Sequence, residues 1–123
     1  MNSKLSVGVG RSVITPPLGT ILHGYAPGRP AESVGDDLNV TAIALASGGT
    51  RVLMLTADLC VMAPNIFKDI RAQLSAATGV PPDHIIYSTT HTHSGPNVST
   101  HSGWGDPDMS YVGNILLPRQ LKL

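Results

Sequence analysis

Two histidines separated by a single residue, His91 and His93, are the strongest candidates in this sequence for binding a metal ion. They directly follow an apolar segment, residues 84–89, that is typical of a β-strand. Loops at strand ends collect binding groups in α/β sheets, because the strand holds the exposed loop rigid. Neutral imidazole is a favoured zinc ligand, so the pair predicts part of a zinc site. The alternative is two solvated loop histidines.

A catalytic zinc ion usually has three protein ligands and one open position, and this pair supplies at most two. The candidates for a further ligand are Asp58, His23 and His101. Asp58 follows a predicted strand, where its carboxylate either joins the site, as a ligand or by orienting a histidine, or caps the following turn. His23 lies in a long loop, where a solvated side chain is the alternative, and His101 lies in another loop. The sequence does not identify which of the three completes the site.

The single cysteine, Cys60, excludes an intrachain disulfide. It lies in an apolar segment, residues 59–62, with no neighbouring charged residue that would lower its pKa. The sequence therefore predicts a buried and unreactive thiol. A cysteine hydrolase that pairs Cys60 with a histidine is the alternative.

Four predicted strands and one main helix must position these residues. The strands cover residues 5–14, 40–46, 51–56 and 84–89, and the helix covers residues 64–78. Turn residues at 47–49 predict that the second and third strands form a hairpin. The strand, helix, strand order that follows predicts a right-handed crossover between parallel strands. The near-continuous apolar run of the third strand predicts burial on both of its faces.

We therefore predict a single α/β domain over residues 1–123. It has a small mixed sheet of about four strands, one main packing helix and long loops rich in Gly and Pro. The longest loop, residues 15–39, is of a length that is usually functional or disordered. A further helix is predicted to begin near Asp108, and Pro118 is expected to end it after about two turns.

Composition narrows the classes of function. The formal net charge is zero, and the eight Lys and Arg residues are scattered, which argues against a nucleic-acid-binding surface. No segment approaches the roughly 20 apolar residues of a membrane span. Residues 1–5 lack the apolar run of a signal peptide, so a cytoplasmic location is the default expectation. Only 13% of the residues are charged, against about a quarter in typical domains. This favours a surface that is normally covered by something else, and a small domain with a bland surface is the alternative.

Five short blocks of this chain resemble, in order and rough spacing, the opening of the neutral/alkaline non-lysosomal ceramidase family. The resemblance extends from about Val7 to Val112. The blocks are VGVGR at residues 7–11, ITPPLG at 14–19, GY at 24–25, TADL at 56–59 and THTHSGP at 90–96. The histidine block is the most specific of them, and the opening block is next.

The resemblance implies a zinc-dependent hydrolase, since the members of that family are zinc amidases that cleave the N-acyl bond of ceramide. It implies that His91 is a zinc ligand and that His93 is a catalytic residue facing the substrate near the metal. The substrate is then a small-molecule acyl amide or ester, with lipids included.

In that family the remaining zinc ligands, a second histidine, a glutamate and a tyrosine, lie beyond the length of this chain. The resemblance therefore implies a truncated form, whose missing ligands come from His23, Asp58 and His101 or from a second subunit in a homo-oligomer. The last residues, 115–123, also lose the character of the family. The alternative function is a non-catalytic folded fragment that self-associates or binds a partner.

Overall fold

A computed structural model describes residues 4–121 of the chain. The first three residues and the last two lie outside this range. The expectation of no signal peptide, drawn from residues 1–5, therefore falls largely outside the described residues. The strands are β1 (Ser6–Val13), β2 (Leu22–Gly24), β3 (Asn39–Ser47), β4 (Thr50–Ala57), β5 (Ile85–Thr89) and β6 (Ser94–Pro96). The helices are α1 (Pro64–Thr78), α2 (Met109–Tyr111) and α3 (Leu117–Leu121), with a π-helical turn over Val112–Leu116 between the last two.

The main sheet has four strands in the order β1-β3-β4-β5. β3 pairs with both β1 and β4 in antiparallel fashion, which confirms the predicted hairpin. β4 and β5 are parallel neighbours with α1 between them in the chain, which confirms the predicted strand, helix, strand connection between parallel strands. Because these two strands run together from Leu53 and Ile85 to Ala57 and Thr89, the residues that follow them emerge at the same edge of the sheet. The predicted fold class, a small mixed α/β sheet with one main helix, is confirmed.

Helix α1 forms where the sequence predicts it, and its ends have simple local causes. Pro64 occupies the first turn, where its missing N–H leaves no hydrogen bond unmade. Gly79 ends the helix in a left-handed conformation (φ 75°) and donates its backbone N–H to the carbonyl of Ser75. Ile66, Ile70 and Leu74 are buried against the sheet. Burial of each such side chain stabilises the fold by about 1.5–3 kcal/mol.

The prediction that β4 is buried on both faces is wrong. Its residues alternate, so that Leu55 is 2% exposed whereas Met54 is 39% exposed. Met54 lies in register with Ile43 on one side and Ile86 on the other, and Ile43 lies opposite Val9. These four exposed apolar residues form a row across all four strands, and we call this row the open-face stripe. The apolar run reflects apolar side chains on both faces of β4. Within residues 4–121, only one of these two faces is covered by other residues.

Pro118 does not end the C-terminal helix, and that prediction is also wrong. The chain remains helical from Met109 to Leu121, through the π-helical turn and past Pro118. In the π turn the N–H of Leu117 reaches back to the carbonyl of Val112, so the helix is widened where a proline ring would otherwise clash with the preceding turn. Leu116, at the end of this turn, is fully buried in the core.

The long loop over residues 15–39 contains a short strand that the sequence analysis did not predict. β2 pairs antiparallel with β6, so that His23 lies opposite Gly95 and Gly24 lies opposite Ser94. This pairing fastens the middle of the loop to the histidine block. Among the described residues, no helix is both long enough and apolar enough to cross a membrane.

Candidate metal centre

His91 lies just beyond β5 in an unusual backbone conformation. Its φ angle is 66°, in the left-handed region that residues with a Cβ seldom adopt. Backbone hydrogen bonds hold it there, from the N–H of Thr90 to the carbonyl of Ala57 and from the N–H of His91 to the carbonyl of Leu59. The strand therefore does not continue through the His-Thr-His segment, and the two rings do not approach each other by strand alternation. Strained conformations of this kind recur at ligand-binding positions, where the surrounding structure enforces them.

The side chain of His91 has a defined orientation. Its Nδ1 lies 3.1 Å from the backbone carbonyl oxygen of Cys60. Because a carbonyl oxygen only accepts hydrogen bonds, Nδ1 carries the hydrogen and donates it, which leaves the lone pair on Nε2. This is the usual arrangement of a metal-ligating histidine, whose other ring N–H donates to a carbonyl or carboxylate.

Cys60 places a second side chain with metal-binding chemistry beside this ring. Its Sγ lies 3.6 Å from His91 Nδ1 and 3.9 Å from Nε2. The cysteine is 3% exposed, and burial raises the pKa of its thiol. The prediction of a buried thiol is therefore correct, but the thiol has an imidazole beside it. No local signal could reveal this contact, because the two residues are 31 positions apart and meet only through the parallel pairing of β4 and β5.

His93 completes a group of three potential ligands. One ligand atom each from Cys60, His91 and His93 can be chosen so that all lie within 4.8 Å of one another. The ring centroids of His91 and His93 are 5.0 Å apart, and Tyr25 packs edge-on against His93 at 5.2 Å. In a tetrahedral zinc site, bond lengths of about 2.0–2.3 Å place ligand atoms roughly 3.3–3.7 Å apart. The group is held together only to within 4.8 Å, but thiolate and imidazole are both zinc ligands, so the donor types of the group are compatible with zinc.

Gly24 allows His93 to lie where it does. Its φ angle is 133°, and a Cβ added there would lie 2.5 Å from the Cβ of His93 and 2.6 Å from its Cα. Only glycine fits this contact, which explains the His23-Gly24-Tyr25 sequence in the middle of the long loop. β2 thus brings a glycine against the back of His93 and an aromatic ring against its edge.

His23 lies on the other side of β2 and is 3% exposed. Its ring packs edge-on against Trp104 at 4.5 Å and against His101 at 5.6 Å. Burial lowers the pKa of His23, and the nearby imidazoles of His101, His93 and His91 lower it further. Its Nδ1 is buried without a hydrogen-bond partner among residues 4–121. The structure therefore gathers four of the five histidines of the chain into one region and favours a neutral His23 there.

The remaining sequence candidates do not join the three-residue group within the described part of the chain. Asp58 emerges at the same sheet edge as His91, but its Oδ2 accepts a hydrogen bond from the backbone N–H of Asn39 at 2.9 Å. This contact matches the alternative in which its carboxylate satisfies the local backbone. The proposed roles of Asp58, His23 and His101 as metal ligands stay predictions.

Two clefts open beside the group. A cleft of about 530 Å³ lies between residues 15–38 of the long loop and the side chains of Thr92 and Ser94. A smaller one of about 110 Å³ is lined by His93, Tyr25 and Arg29. The larger volume is in the range of small-molecule sites in proteins. Arg29 borders both clefts and supplies a fixed positive charge near them.

Comparison with known proteins identifies this fold. No protein-family model matches the sequence, and no curated protein matches it. A solved structure of neutral ceramidase from Pseudomonas aeruginosa is similar to it with a TM-score of 0.82 and 19% identity, over 99% of this chain and 21% of that chain. A structure described as a ceramidase complexed with C2 is similar with a TM-score of 0.78 and 20% identity, over 98% of this chain and 20% of that chain.

These similarities extend over nearly all of this chain and include the sheet, the main helix and the histidine loop. At about 20% identity, these similarities establish the fold alone. The chemistry of this chain has to be inferred from its own residues. The chain spans about a fifth of the length of the solved structures that it matches. The resemblance drawn from the sequence is thus confirmed in three dimensions: this chain has the fold of about one fifth of a neutral ceramidase.

Proposed function

We propose that this chain carries part of the active site of a zinc-dependent hydrolase that cleaves N-acyl amide or ester bonds, with His91 as a zinc ligand and His93 as a catalytic residue. The observation that carries the proposal is the fixed orientation of His91. Its Nδ1–H is held by the carbonyl of Cys60, and this contact leaves Nε2 available to a metal ion next to His93. The fold shared with the two ceramidase structures supports an acyl amide as substrate.

The chain's own residues have distinct tasks in this proposal. When bound, zinc supplies a Lewis acid that polarises an acyl carbonyl or lowers the pKa of a water molecule to about 7. His93 lines the small cleft and donates a hydrogen bond to the substrate oxygen or moves a proton at that oxygen. Thr92 and Ser94 border the larger cleft, where the acyl group of a lipid or another acyl compound is held.

Completion of the metal site requires ligands in addition to His91. Asp58, His23 and His101 are candidates within the chain, and a second copy or another polypeptide is a source outside it. The chain matches about a fifth of each similar structure, so we propose the hydrolytic activity for the assembled site. Zinc binding is the first part of the proposal to test on the chain by itself.

The test is a zinc titration of the purified chain with three proteins. The parent chain is expected to bind one zinc ion per site, and His91→Ala is expected to lose at least about 10-fold in affinity, as removal of metal-site interactions commonly does. His84→Ala serves as the matched control, because His84 hydrogen-bonds the carbonyl of Arg51 at the start of β5, at the opposite end of that strand. Equal zinc affinity of parent and His91→Ala would refute the proposed function.

Hydrolysis of N-acyl amides and acyl esters by the parent chain should be measured in parallel. His93→Ala is expected to reduce any turnover by about 10²–10⁴-fold, the contribution of a positioned proton donor. It should do so while zinc remains bound more tightly than in His91→Ala. Full turnover in His93→Ala would show that His93 is not a catalytic residue.

The open-face stripe supports a second candidate function, self-association of two copies of this chain. Val9, Ile43, Met54 and Ile86 are between 37% and 71% exposed and lie in register across the sheet. Contiguous exposed apolar surface marks interaction sites, and the zero net charge of the chain adds no overall repulsion between copies. Two such faces would stack about 10 Å apart, as sheets do in β-sandwiches.

Sedimentation over a dilution series tests this second function. The parent chain is expected to associate with increasing concentration, and Met54→Lys, in the centre of the stripe, is expected to remain monomeric. Ala72→Lys adds the same charge on the exposed side of α1 and is expected to associate like the parent. A parent chain that stays monomeric at high concentration would exclude this function.

A further inference from the structure

We propose that an apolar groove between the main sheet and the helices α1 and α3 binds a neutral medium-chain alcohol, whose hydroxyl group donates a hydrogen bond to Gln120. The groove has a volume of about 280 Å³. It shares no lining residue with the two clefts beside the metal centre. This binding site therefore goes beyond the proposed hydrolase and does not depend on zinc.

The groove exists because two strands carry small residues on the inner face of the sheet. Gly8 of β1 lies opposite Ala44 of β3, and the partner of Ala44 in β4 is a leucine. Gly10 likewise lies opposite Ala42, whose partner in β4 is also a leucine. A Cβ added at Gly8 would have no heavy atom within 4 Å. The sheet surface is therefore lower over β1 and β3 than over β4, and the helices do not fill the difference.

The degree of burial shows which end of the groove is open. Gly8 and Ala44 are exposed, whereas Ala42 is 7% exposed and Gln120 is 1% exposed. The groove therefore opens to solvent beside Gly8 and Ala44 and is closed beside Ala42 and Gln120. A ligand that reaches the closed end leaves water there for contact with the protein.

The closed end carries a polar atom that has no partner. Nε2 of Gln120 donates a hydrogen bond to the backbone carbonyl of Leu116 at 3.0 Å. Because a carbonyl oxygen only accepts hydrogen bonds, this contact determines which end of the amide holds its own oxygen. That oxygen, Oε1, is buried and has no hydrogen-bond partner among residues 4–121. A buried acceptor without a donor is unfavourable, so Gln120 favours a ligand that supplies one.

The lining of the groove disfavours charged ligands. None of the described residues that line it is charged. The hydroxyl group of Thr78, which also lines it, donates to the carbonyl of Leu74 at 2.7 Å and accepts the N–H of Val80 at 3.2 Å. A carboxylate would bring a further acceptor to Oε1, and an ammonium group would have no counter-ion in an apolar enclosure. A hydroxyl group supplies the donor without a charge.

The volume sets the size of the ligand. An apolar cavity of about 150 Å³ holds one benzene molecule. A groove of about 280 Å³ therefore has room for about ten non-hydrogen atoms. Octanol is of this size and carries a single hydroxyl group. Burial of its alkyl chain against the alanines and leucines of the groove supplies the main driving force for binding.

The experiment is isothermal titration calorimetry of the whole chain with four compounds of matched length. Octanol is expected to bind with one molecule per chain. Heptyl methyl ether has the same number of non-hydrogen atoms but no donor, and it is expected to bind about 3–10-fold more weakly, as loss of one hydrogen bond predicts. Octanoate and octylammonium are expected to bind at least about 10-fold more weakly than octanol, because each would bury an unpaired charge. Equal affinities for octanol and the ether would overturn the role of Gln120.

Two variants locate the binding site. Gly8→Leu fills the groove, and it is expected to abolish octanol binding without loss of folding, because Gly8 has open space around it and no positive φ. Val7→Phe is the matched control, since it adds bulk to the opposite face of the same strand and should bind octanol like the parent. Gln120→Leu is expected to bind octanol and the ether equally. If Gln120→Leu does not fold, the comparison of the two compounds on the parent chain decides.

The remaining outcomes identify what else could occupy the groove. Unchanged octanol affinity in Gly8→Leu would overturn the proposed location. A parent chain that binds no octanol would overturn the proposal, and loss of self-association in Gly8→Leu would then identify a second copy of the chain as the occupant. Zinc affinity is expected to be the same in the parent, Gly8→Leu and Gln120→Leu. This proposal and the proposed function can therefore fail independently of each other.

Discussion

Replacement of Gly24 by alanine is the sharpest test of how β2 positions the metal centre. The backbone of Gly24 lies against His93, and a Cβ there would lie 2.5 Å from the Cβ of His93. Real Cβ atoms do not approach other atoms so closely, so either His93 or β2 must move. A suitable control exists in the same loop, because Gly28 also has a positive φ, 73°, but a Cβ there would have no heavy atom within 4 Å.

The expected magnitude follows from the two contributions. A left-handed φ costs alanine about 1–2 kcal/mol at Gly28, and the φ of 133° at Gly24, in a region that is essentially restricted to glycine, costs at least as much. The backbone contribution therefore does not reduce the difference between the two variants. Overpacking against His93 adds about 1–3 kcal/mol in Gly24→Ala alone. Gly24→Ala should therefore unfold about 4–12 °C below Gly28→Ala, taking about 4 °C per kcal/mol for a chain of this size.

The assay is thermal unfolding of both variants by circular dichroism, together with their zinc affinities. If β2 detaches to relieve the clash, the loss of stability is smaller but His93 loses its support, and zinc affinity falls instead. One of the two measurements must therefore separate Gly24→Ala from Gly28→Ala. Identical melting temperatures and identical zinc affinities would refute the inference that Gly24 holds His93 in place.

Four further predictions concern pH, the core, a buried hydroxyl and zinc. The pKa of His23 is lowered from 6.5 in the folded chain, so on acidification the unfolded chain binds a proton at His23 before the folded chain does. The free energy of unfolding should therefore fall as pH drops below about 6.5. His23→Phe should flatten this part of a plot of melting temperature against pH. Leu55→Ala should cost about 2–5 kcal/mol in urea unfolding, whereas Met54→Ala on the open face should cost less than about 1 kcal/mol. Tyr111→Phe, which removes the 2.6 Å hydrogen bond to the carbonyl of Ile14, should cost about 1–3 kcal/mol by the same measurement. Zinc at 100 times its Kd should raise the free energy of unfolding by about 2.7 kcal/mol, and a chelator should reverse the gain.

Local patterns in the sequence were enough to predict the main elements. The apolar stripe of α1, with Pro64 at its start and Gly79 at its end, predicts the helix within the bounds observed. Strand–helix–strand order then predicts the parallel pairing of β4 and β5. That pairing correctly places Asp58 and His91 at one sheet edge. These features depend on residues near one another in sequence or on general rules of chain connection.

The error at Pro118 concerns a local π-helical turn, whereas the other features that were missed depend on how distant segments pack. Nothing near Met54 indicates that its face of the sheet is left uncovered by the described residues. The pairing of β2 with β6 depends on a fit between Gly24 and His93, which lie 69 positions apart. The approach of Cys60 to His91 likewise follows from strand pairing. The sequence carries no periodic or compositional trace of any of these contacts.

The most specific property of the candidate site is which ring nitrogen of His91 carries the hydrogen and which is left to bind a ligand. The fold determines this without a bound ion. The hydrogen bond from Nδ1 to the Cys60 carbonyl depends on the left-handed backbone of His91, and that backbone depends on the hydrogen bond to Leu59. All of these contacts lie where the chain leaves two parallel strands whose register is fixed from Leu53 onward. The other tautomer, with its hydrogen on Nε2, would place the lone pair of Nδ1 against the carbonyl oxygen of Cys60 and lose about 1–3 kcal/mol. The parallel pair of strands therefore determines which imidazole nitrogen is presented to a ligand, and a histidine in a free loop would have no such constraint.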